Sequence, residues 1–354
     1  MGKLIQVFDF FAGCGGTSKG LEMAGCNIVF ALDNNVDATS TFKRNFPNTT
    51  VLNRDITQVK INEIEPLISK CENQPLLFCG CAPCQPFTMQ KTTKKDADER
   101  IHLLIEFQRF VKAFKPHYIF VENVPGMQKR ICQSSPFKAF VNFLENCGYY
   151  FEFKIIQSQN YGVPQKRKRL VLAACKLSEI LIPKAMCDPS KGLKNYSTVR
   201  EWISDLPPIK AGEEHPTIPN HRSAQLSPIN LERIKSTPEG GNRLNWPKSL
   251  WLNCHKNGYK GHTDVYGRMK WDEPATGLTT RCISLSNGRF GHPEQNRAIS
   301  VREAASLQTF PSNFIFHGNL NSMAKQIGNA VPVKLAEVFG HHMVDHYRNL
   351  NGKI

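Results

Sequence analysis

The residue best suited to covalent chemistry in this chain is the cysteine of Pro83-Cys84-Gln85. It follows a short apolar run, Leu76 to Cys79, which predicts a buried parallel strand. Open α/β sheets bind their ligands just beyond the carboxyl ends of such strands, so this thiol is expected to face a crevice. A thiolate placed there can attack an electron-poor carbon atom. The alternative is a small buried hydrophobe, which is how free cysteines often behave.

Two further polar segments would assist a thiolate that attacks carbon 6 of a pyrimidine. Glu122 follows another predicted strand, and a carboxyl in an enclosed site can be tuned to donate a proton to ring nitrogen 3. Carbon 5 then becomes nucleophilic and can accept a methyl group from a sulfonium. Arg167 and Arg169, two residues apart in a strand-like segment, are predicted to share one face, where they would favour the thiolate or bind phosphate and base oxygen. The alternatives are a surface acid and a solvated basic turn.

A glycine-rich turn and two acids predict a cofactor site near the amino terminus. Phe11 to Gly16 lies between the first predicted strand and the first helix, where glycines allow close approach of a ligand. Asp33, at the end of the second strand, is placed to bind ribose hydroxyls, and Asp55, after the third, to accept from an adenine amino group. Both could instead be cap or turn residues. The turn is not the dinucleotide fingerprint, and an acid-lined site favours a cationic adenosine cofactor over a triphosphate.

The elements that carry these residues alternate between strand and helix over the first half of the chain. This alternation predicts an α/β fold with a doubly wound, mostly parallel sheet. The strands are expected at Leu4–Phe10, Ile28–Leu32, around Val51, and at Leu76–Cys79, Tyr118–Val121, Tyr150–Ile156 and Leu170–Ala174. The helices are expected at Thr17–Ala24, Val36–Phe46, Glu99–Phe114, Phe137–Asn146, Val301–Gln308 and Val333–Tyr347.

The character of the chain changes after about residue 178, where Pro, Gly, Asn, Ser and Trp become frequent and periodicity fades. We therefore predict a catalytic and cofactor-binding domain from residues 1–178 plus 325–354. A second, smaller, loop-rich domain is predicted over residues 179–324.

Composition points to a nucleic-acid partner. The 354 residues carry 45 basic and 30 acidic side chains, a net charge of +15 that is spread over the chain. Such an excess favours binding to a polyanion through phosphate contacts. No apolar run is long enough to span a membrane, and the twelve cysteines lack the paired spacing of a zinc site, so we expect a cytoplasmic protein with free thiols and no metal.

At this point the residues carry a family resemblance. The chain resembles the DNA (cytosine-5)-methyltransferases, of the bacterial restriction-modification type, over nearly its whole length. Six motifs occur in the family's order: Gly13–Gly16, Pro83-Cys84-Gln85, Glu122-Asn123-Val124, Gln165-x-Arg167-x-Arg169, Arg302-Glu303-Ala304-Ala305 with Leu307-Gln308-Thr309-Phe310-Pro311, and Gly328-Asn329-Ala330-Val331-Pro332.

The resemblance implies a role for each matching residue. Cys84 would be the nucleophile, Glu122 would contact the target ring and Arg167 would support the activated cytosine. S-adenosylmethionine would be the cofactor, and the residues expected to bind it are Phe11, Gly13, Gly15, Asp33, Asp55, Leu103 and Asn329. Two departures stand out: Asp33 replaces a common Glu, and Gly277 in Pro274–Leu278 replaces the Thr of a Thr-Leu pair.

Double-stranded DNA is the expected substrate, because a methyltransferase must flip the cytosine out of the duplex to reach it. The residues expected to contact DNA are Gln85, Arg169, Arg243, Lys256 and Arg268; each could be an ordinary surface residue. We expect a monomer, with a cognate restriction endonuclease as a possible partner.

Three other functions remain open at this stage. An RNA methyltransferase is the nearest, because a tRNA-modifying branch shares Pro-Cys-Gln. A silent DNA-binding homologue would not need Cys84, Glu122 and Arg167. A nicotinamide oxidoreductase would need a different glycine pattern.

Overall fold

The computed structural model describes residues 5–82, 103–126, 136–256 and 261–352. Within these residues the strands are Gln6–Asp9 (β1), Asn27–Asp33 (β2), Thr50–Asn53 (β3), Leu76–Cys79 (β4), Tyr118–Asn123 (β5), Tyr150–Gln157 (β6), Gln165–Lys166 (β7), Lys168–Cys175 (β8) and Ala275–Thr276 (β9).

The helices follow the same chain order. They are Gly16–Met23 (α1), Val36–Asn45 (α2), Ile61–Ser69 (α3), Leu103–Phe114 (α4), Pro136–Asn146 (α5), Val199–Ile203 (α6), Pro228–Lys235 (α7), Asn253–Lys256 (α8), Val301–Leu307 (α9), Leu320–Asn329 (α10) and Val333–Asn351 (α11).

Seven strands form one central sheet in the order β3-β2-β1-β4-β5-β8-β6. The first five are parallel to their neighbours, and β8 runs antiparallel to both β5 and β6. The order reverses between β1 and β4, and ligands of such sheets bind beyond the carboxyl ends of the strands at that point. The ends of β1, β4 and β5 are therefore brought together, as the sequence predicts for an α/β sheet.

Apolar side chains on both faces of the sheet explain why helices cover both. Phe8 of β1 and Phe10, the residue directly after β1, pack on one face in a cluster with Phe107 of α4. On the other face Phe120 of β5 packs against Phe339 of α11. A parallel sheet with buried residues on both faces needs this double cover, which is the doubly wound arrangement.

The chain folds into two compact units. The first comprises Met1–Gln157, Lys168–Ala185 and Val333–Ile354, and contains the seven-stranded sheet. The second comprises Ser158–Arg167 and Met186–Pro332; it contains the short parallel pair β7–β9, and most of it lies outside helices and strands. The two domains were predicted to carry catalysis and DNA recognition separately. That division of roles between the two units stays a prediction.

The predicted elements are present with ends shifted by at most four residues, and the predicted start of α4 at Glu99 lies outside the described residues. Five helices were not predicted: α3, α6, α7, α8 and α10. α3 contains Pro66, which weakens the helical signal, and the other four lie mostly in the region that was predicted to be loop-rich. No helix of the described residues has the length and apolar character needed to cross a membrane.

Candidate active site

The glycine turn after β1 is held against the end of β2. The backbone N–H of Gly13 donates to Asp33 Oδ2 at 2.9 Å, and the N–H of Ala12 donates to the Leu32 carbonyl at 3.0 Å. Gly15, the N-cap residue directly before α1, has a φ of +99°, and a Cβ there would lie 2.6 Å from Cε2 of Phe46. Glycine is required at that position both for backbone conformation and for space.

A pocket opens beside this turn, at the carboxyl ends of β1, β2 and β3. It is lined by Phe10, Phe11, Leu32, Asp33, Asn34, Arg54, Asp55, Ile56 and Leu103. Four residues expected at the cofactor site, Phe11, Asp33, Asp55 and Leu103, therefore line one cavity. Asn34, Arg54 and Ile56 were not predicted, although each is a direct neighbour in sequence of a predicted acid.

Both acids of the pocket are fixed by local hydrogen bonds. Asp33 Oδ1 accepts from the backbone N–H of Asn35 at 2.9 Å, in addition to its bond with Gly13. Asp55 Oδ1 accepts from the backbone N–H of Thr57 at 3.0 Å, and this bond lowers the pKa of the Asp55 carboxyl. The pocket therefore presents oriented carboxylate oxygens to a ligand that carries hydroxyl or amino groups.

The backbone that leads to Cys84 is hydrogen-bonded to β5 as far as Ala82, the last residue described before the gap. Gly80 N–H donates to the carbonyl of Phe120 at 2.9 Å, and buried Asn123 donates from Nδ2 to the carbonyl of Ala82 at 3.1 Å. Asn123 therefore ties the segment after β4 to the end of β5, a role that sequence reasoning missed. Cys84 and Gln85 themselves lie outside the described residues.

Two other cysteines near the end of β4 are poor nucleophiles. Burial raises the pKa of the Cys79 thiol well above its usual range. The pKa of Cys81 is also raised, first by burial and then by the nearby carboxyls of Glu122 and Asp9. Because only the thiolate reacts readily, neither residue is suited to attack an electrophile at neutral pH.

Glu122 lies in β5 next to Arg169 of β8. The Nε of Arg169 is 2.6 Å from Oε1 of Glu122, and both side chains are largely buried. Glu122 lies near the end of its strand, as predicted. The arginine beside it is Arg169, and support of the substrate by Arg167 stays a prediction. The ion pair places the Arg169 guanidinium against the carboxyl that was predicted to donate a proton.

The two arginines do not share a face. Arg167 lies between β7 and β8, in the second unit, and its guanidinium donates to the carbonyls of Leu278 at 2.7 Å and Gly328 at 3.0 Å. The strand-like segment is thus two separate strands, and side chains on opposite sides of the break do not alternate regularly between two faces.

Two of the expected DNA contacts are buried in the second unit. The Arg268 guanidinium donates to backbone carbonyls of Thr237, Ile234, His292 and Gln295 and to the side chain of Asn296. Arg243 is also buried and donates to the carbonyl of Gly261. Burial lowers the pKa of Arg268 to about 10. This geometry favours a structural role for both arginines, so we leave them out of the DNA-binding surface proposed below.

The remaining predicted residues are placed less fully. Asn329 is exposed at the end of α10, in the second unit. Lys256 ends α8, and its side chain lies outside the description. Among the described residues there is no cluster of His, Cys, Asp or Glu that could hold a metal ion.

The chain matches one family model, described as C-5 cytosine-specific DNA methylase, over residues 5–345. It is 38% identical to the type II methylase M.HgiDII of Herpetosiphon aurantiacus, an alignment that covers 94% of this chain and 93% of the relative. It is 32% identical to the type II methyltransferase M1.BsuMI of Bacillus subtilis, covering 96% of this chain and 80% of the relative.

Solved structures resemble the fold. A protein described as a DNA modification methyltransferase of an E. coli prophage aligns with a TM-score of 0.74 at 22% identity, covering 96% of this chain and 99% of its own. The Dnmt2 methyltransferase of S. pombe aligns with a TM-score of 0.63 at 18% identity, covering 97% and 99%.

Proposed function

The chain belongs to the family of C-5 cytosine-specific DNA methylases, and we propose that Cys84, Glu122 and Arg169 carry out its chemistry. It is a DNA cytosine-5 methyltransferase that uses S-adenosylmethionine. The observation that carries the proposal is the Glu122–Arg169 ion pair at the end of β5, beside the backbone that leads to Cys84.

The pocket at the ends of β1, β2 and β3 fits this cofactor. Phe11 and Leu103 supply apolar surface for an adenine ring, and the fixed oxygens of Asp33 and Asp55 suit ribose hydroxyls and an amino group. A Cβ at Gly13 would meet nothing within 4 Å, so this turn is open to a ligand. When bound, S-adenosylmethionine supplies a methyl group activated by a sulfonium. We assign the cofactor site to Phe11, Gly13, Gly15, Asp33, Asp55, Leu103 and Asn329.

The reaction proceeds through a covalent adduct in this proposal. The Cys84 thiolate forms a bond to carbon 6 of the flipped-out cytosine while Glu122, held by Arg169, shares a proton with nitrogen 3. Carbon 5, made nucleophilic in this way, would accept the methyl group that S-adenosylmethionine would supply when held by the pocket residues. A water molecule then takes the carbon-5 proton, the bond between carbon 6 and Cys84 breaks to release the thiolate, and the proton on nitrogen 3 returns to Glu122, which restores the ring.

We assign DNA recognition to the second, loop-rich unit, within which the predicted domain 179–324 largely falls. Lys256, Gln85 and Arg169 remain in the proposed DNA-binding set. The type II names of the relatives support a sequence-specific enzyme in a restriction-modification system, paired with an endonuclease that cuts the same site. In this role the enzyme acts as a monomer on cytoplasmic DNA.

The proposal is tested by transfer of labelled methyl groups from S-adenosylmethionine to genomic DNA and, in parallel, to bulk tRNA. We expect 5-methylcytosine in one short DNA motif, lost in Cys84→Ser. Cys81→Ser is the matched control, because the Cys81 thiol stays protonated, and it should retain activity. Label confined to tRNA would overturn the DNA assignment, and an active Cys84→Ser would overturn the nucleophile.

The covalent step has its own test once the motif is known. In DNA that carries 5-fluorocytosine at the target, carbon 5 has no proton to lose after methylation, so the adduct should persist. We expect a denaturation-resistant complex with wild type and with Cys81→Ser, and none with Cys84→Ser. A stable complex with Cys84→Ser would contradict the mechanism.

A further inference from the structure

A buried polar cluster in the second unit consists of Gln165, Arg167 and Gln308. The exposed fractions of these residues are 0%, 5% and 0%. Buried polar groups of this kind are costly unless they are hydrogen-bonded, so the partners they hold are strongly constrained. Resemblance assigned Arg167 to catalysis, and it assigned Gln165 and Gln308 no role.

One end of the cluster binds the backbone of Leu278. Gln165 Oε1 accepts from the backbone N–H of Leu278 at 3.1 Å, and Arg167 Nη1 donates to its carbonyl at 2.7 Å. Gln165 Nε2 also donates to Oε1 of Gln308 at 2.6 Å, which links the two glutamines. The backbone of Leu278 is thereby held on both its polar groups.

The other end of the cluster holds the turn that presents Asn329. Gln308 Nε2 donates to the carbonyls of Ile327 at 2.6 Å and Ala330 at 2.9 Å, and Arg167 Nη2 donates to that of Gly328 at 3.0 Å. The peptide carbonyls on either side of Asn329 are therefore both bound. Asn329 itself is left exposed.

Close packing leaves this turn little freedom. A Cβ on Gly328 would lie 2.1 Å from the carbonyl oxygen of Thr279, the residue after Leu278. The turn and the 278–279 segment thus touch backbone to backbone, and only glycine allows that approach.

We propose that the Gln165–Arg167–Gln308 cluster positions Asn329 for the cofactor by binding its turn to the Leu278 backbone. This inference rests on the proposed function, in which Asn329 contacts S-adenosylmethionine. Arg167 is then a positioning residue, and the cluster sets cofactor affinity without touching the reacting atoms.

The test is the dissociation constant of S-adenosylhomocysteine, measured by calorimetry without DNA. Gln308→Met keeps side-chain volume but removes the donors to Ile327 and Ala330, and we expect the constant to rise about tenfold. Methyl transfer at saturating S-adenosylmethionine should keep its kcat within about threefold, so the effect appears in KM.

The matched control is Gln326→Met. Gln326 is also a buried glutamine near Asn329, but its Nε2 donates to the carbonyl of His317, away from the turn. It should leave the dissociation constant within about threefold of wild type. Equal shifts in the two variants would indicate a merely structural effect and overturn the inference.

A double variant tests whether the cluster acts through Asn329. In the background of Asn329→Ala, Gln308→Met should cause no further loss of affinity, because coupled residues are not additive. Additive losses would contradict the proposal.

A second variant, Arg167→Lys, is used if a thermal unfolding measurement shows that Gln308→Met is not folded. A lysine cannot bind Leu278 and Gly328 at once as the guanidinium fork does, so a weaker rise is expected and an unchanged constant would overturn the inference.

The proposed function can fail separately. If wild type neither binds S-adenosylhomocysteine nor transfers label, the proposed function fails. If wild type does both while Gln308→Met binds as wild type does, only the inference about the cluster fails.

Discussion

The pairing of Glu122 with Arg169 gives the carboxyl a fixed direction at the end of β5. The two atoms are 2.6 Å apart in a largely buried site, where water and salt screen an ion pair less than at the surface. A proton donor must keep within hydrogen-bond reach of its target, so loss of the partner should affect the chemical step. This makes Arg169 testable apart from Arg167.

Arg169→Ala is expected to lower kcat by about 10²-fold, because a misplaced acid–base group forfeits most of its contribution. The dissociation constant of S-adenosylhomocysteine should stay unchanged, since Arg169 does not line the pocket. Lys168→Ala removes the neighbouring exposed cation and serves as the control for general loss of charge. Equal kcat values for the two variants would contradict the assignment.

Asp9 is a second buried acid, at the end of β1, that sequence reasoning did not single out. It accepts a hydrogen bond from Ser18 Oγ at 2.8 Å, and burial raises its pKa from 3.8 to about 7. The folded state therefore keeps a proton that the unfolded chain releases above about pH 4. The stability that this group contributes is greatest below about pH 4, and it is lost as the pH rises to about 7.

Asp9→Asn should remove that dependence. Between pH 4 and pH 8 the free energy of unfolding of wild type should fall by on the order of 4 kcal/mol relative to that of the variant. Denaturant unfolding across this range measures it. The exposed Asp205→Asn should show no such trend, and a difference independent of pH for Asp9→Asn would refute the prediction.

The helices α1 and α11 pack closely against each other. Gly20 of α1 has no room for a side chain: a Cβ would lie 2.3 Å from the carbonyl oxygen of Val333 and 2.5 Å from the nitrogen of Glu337. Both are backbone atoms of α11, which cannot move without shifting the helix. Helix α11 is thereby packed against α1, and it also covers one face of the central sheet.

Gly20→Ala is expected to destabilise the protein by about 1–3 kcal/mol, because overpacking forces the helices apart. Helix propensity alone predicts the opposite sign, since Ala favours helix over Gly by roughly 0.5–1 kcal/mol. Met23→Ala, at an exposed position of the same helix, should change stability by less than about 0.5 kcal/mol. A stabilised Gly20→Ala variant would show that α11 yields easily.

The charge of the whole molecule bears on how it finds DNA. The net charge of +15 predicts that affinity is driven largely by phosphate contacts and the release of counterions. We expect the DNA dissociation constant to rise by about 10²-fold or more between 50 and 200 mM salt. Fluorescence anisotropy with a labelled duplex measures it, and a change of less than about threefold would contradict electrostatic binding.

Sequence by itself determined which strands end at the site. Alternating elements and short apolar runs indicate parallel strands, and the polar residues that follow them, Asp33, Asp55 and Glu122, mark their carboxyl ends. Because parallel strands place those ends along one edge, the positions of these three acids could be predicted from local patterns alone. The predicted cofactor residues Phe11 and Leu103 indeed line the same cavity as the two acids.

Tertiary structure decided which basic side chains are free of internal backbone partners and so could act at the active site or contact DNA. Arg167 and Arg169 differ because β7 pairs with distant β9 while β8 pairs with β5, so the chain breaks direction between them. Arg243 and Arg268 look like surface cations in the sequence but satisfy carbonyls inside the second unit. Such partners are backbone groups brought close only by folding, and no residue type or spacing encodes them locally.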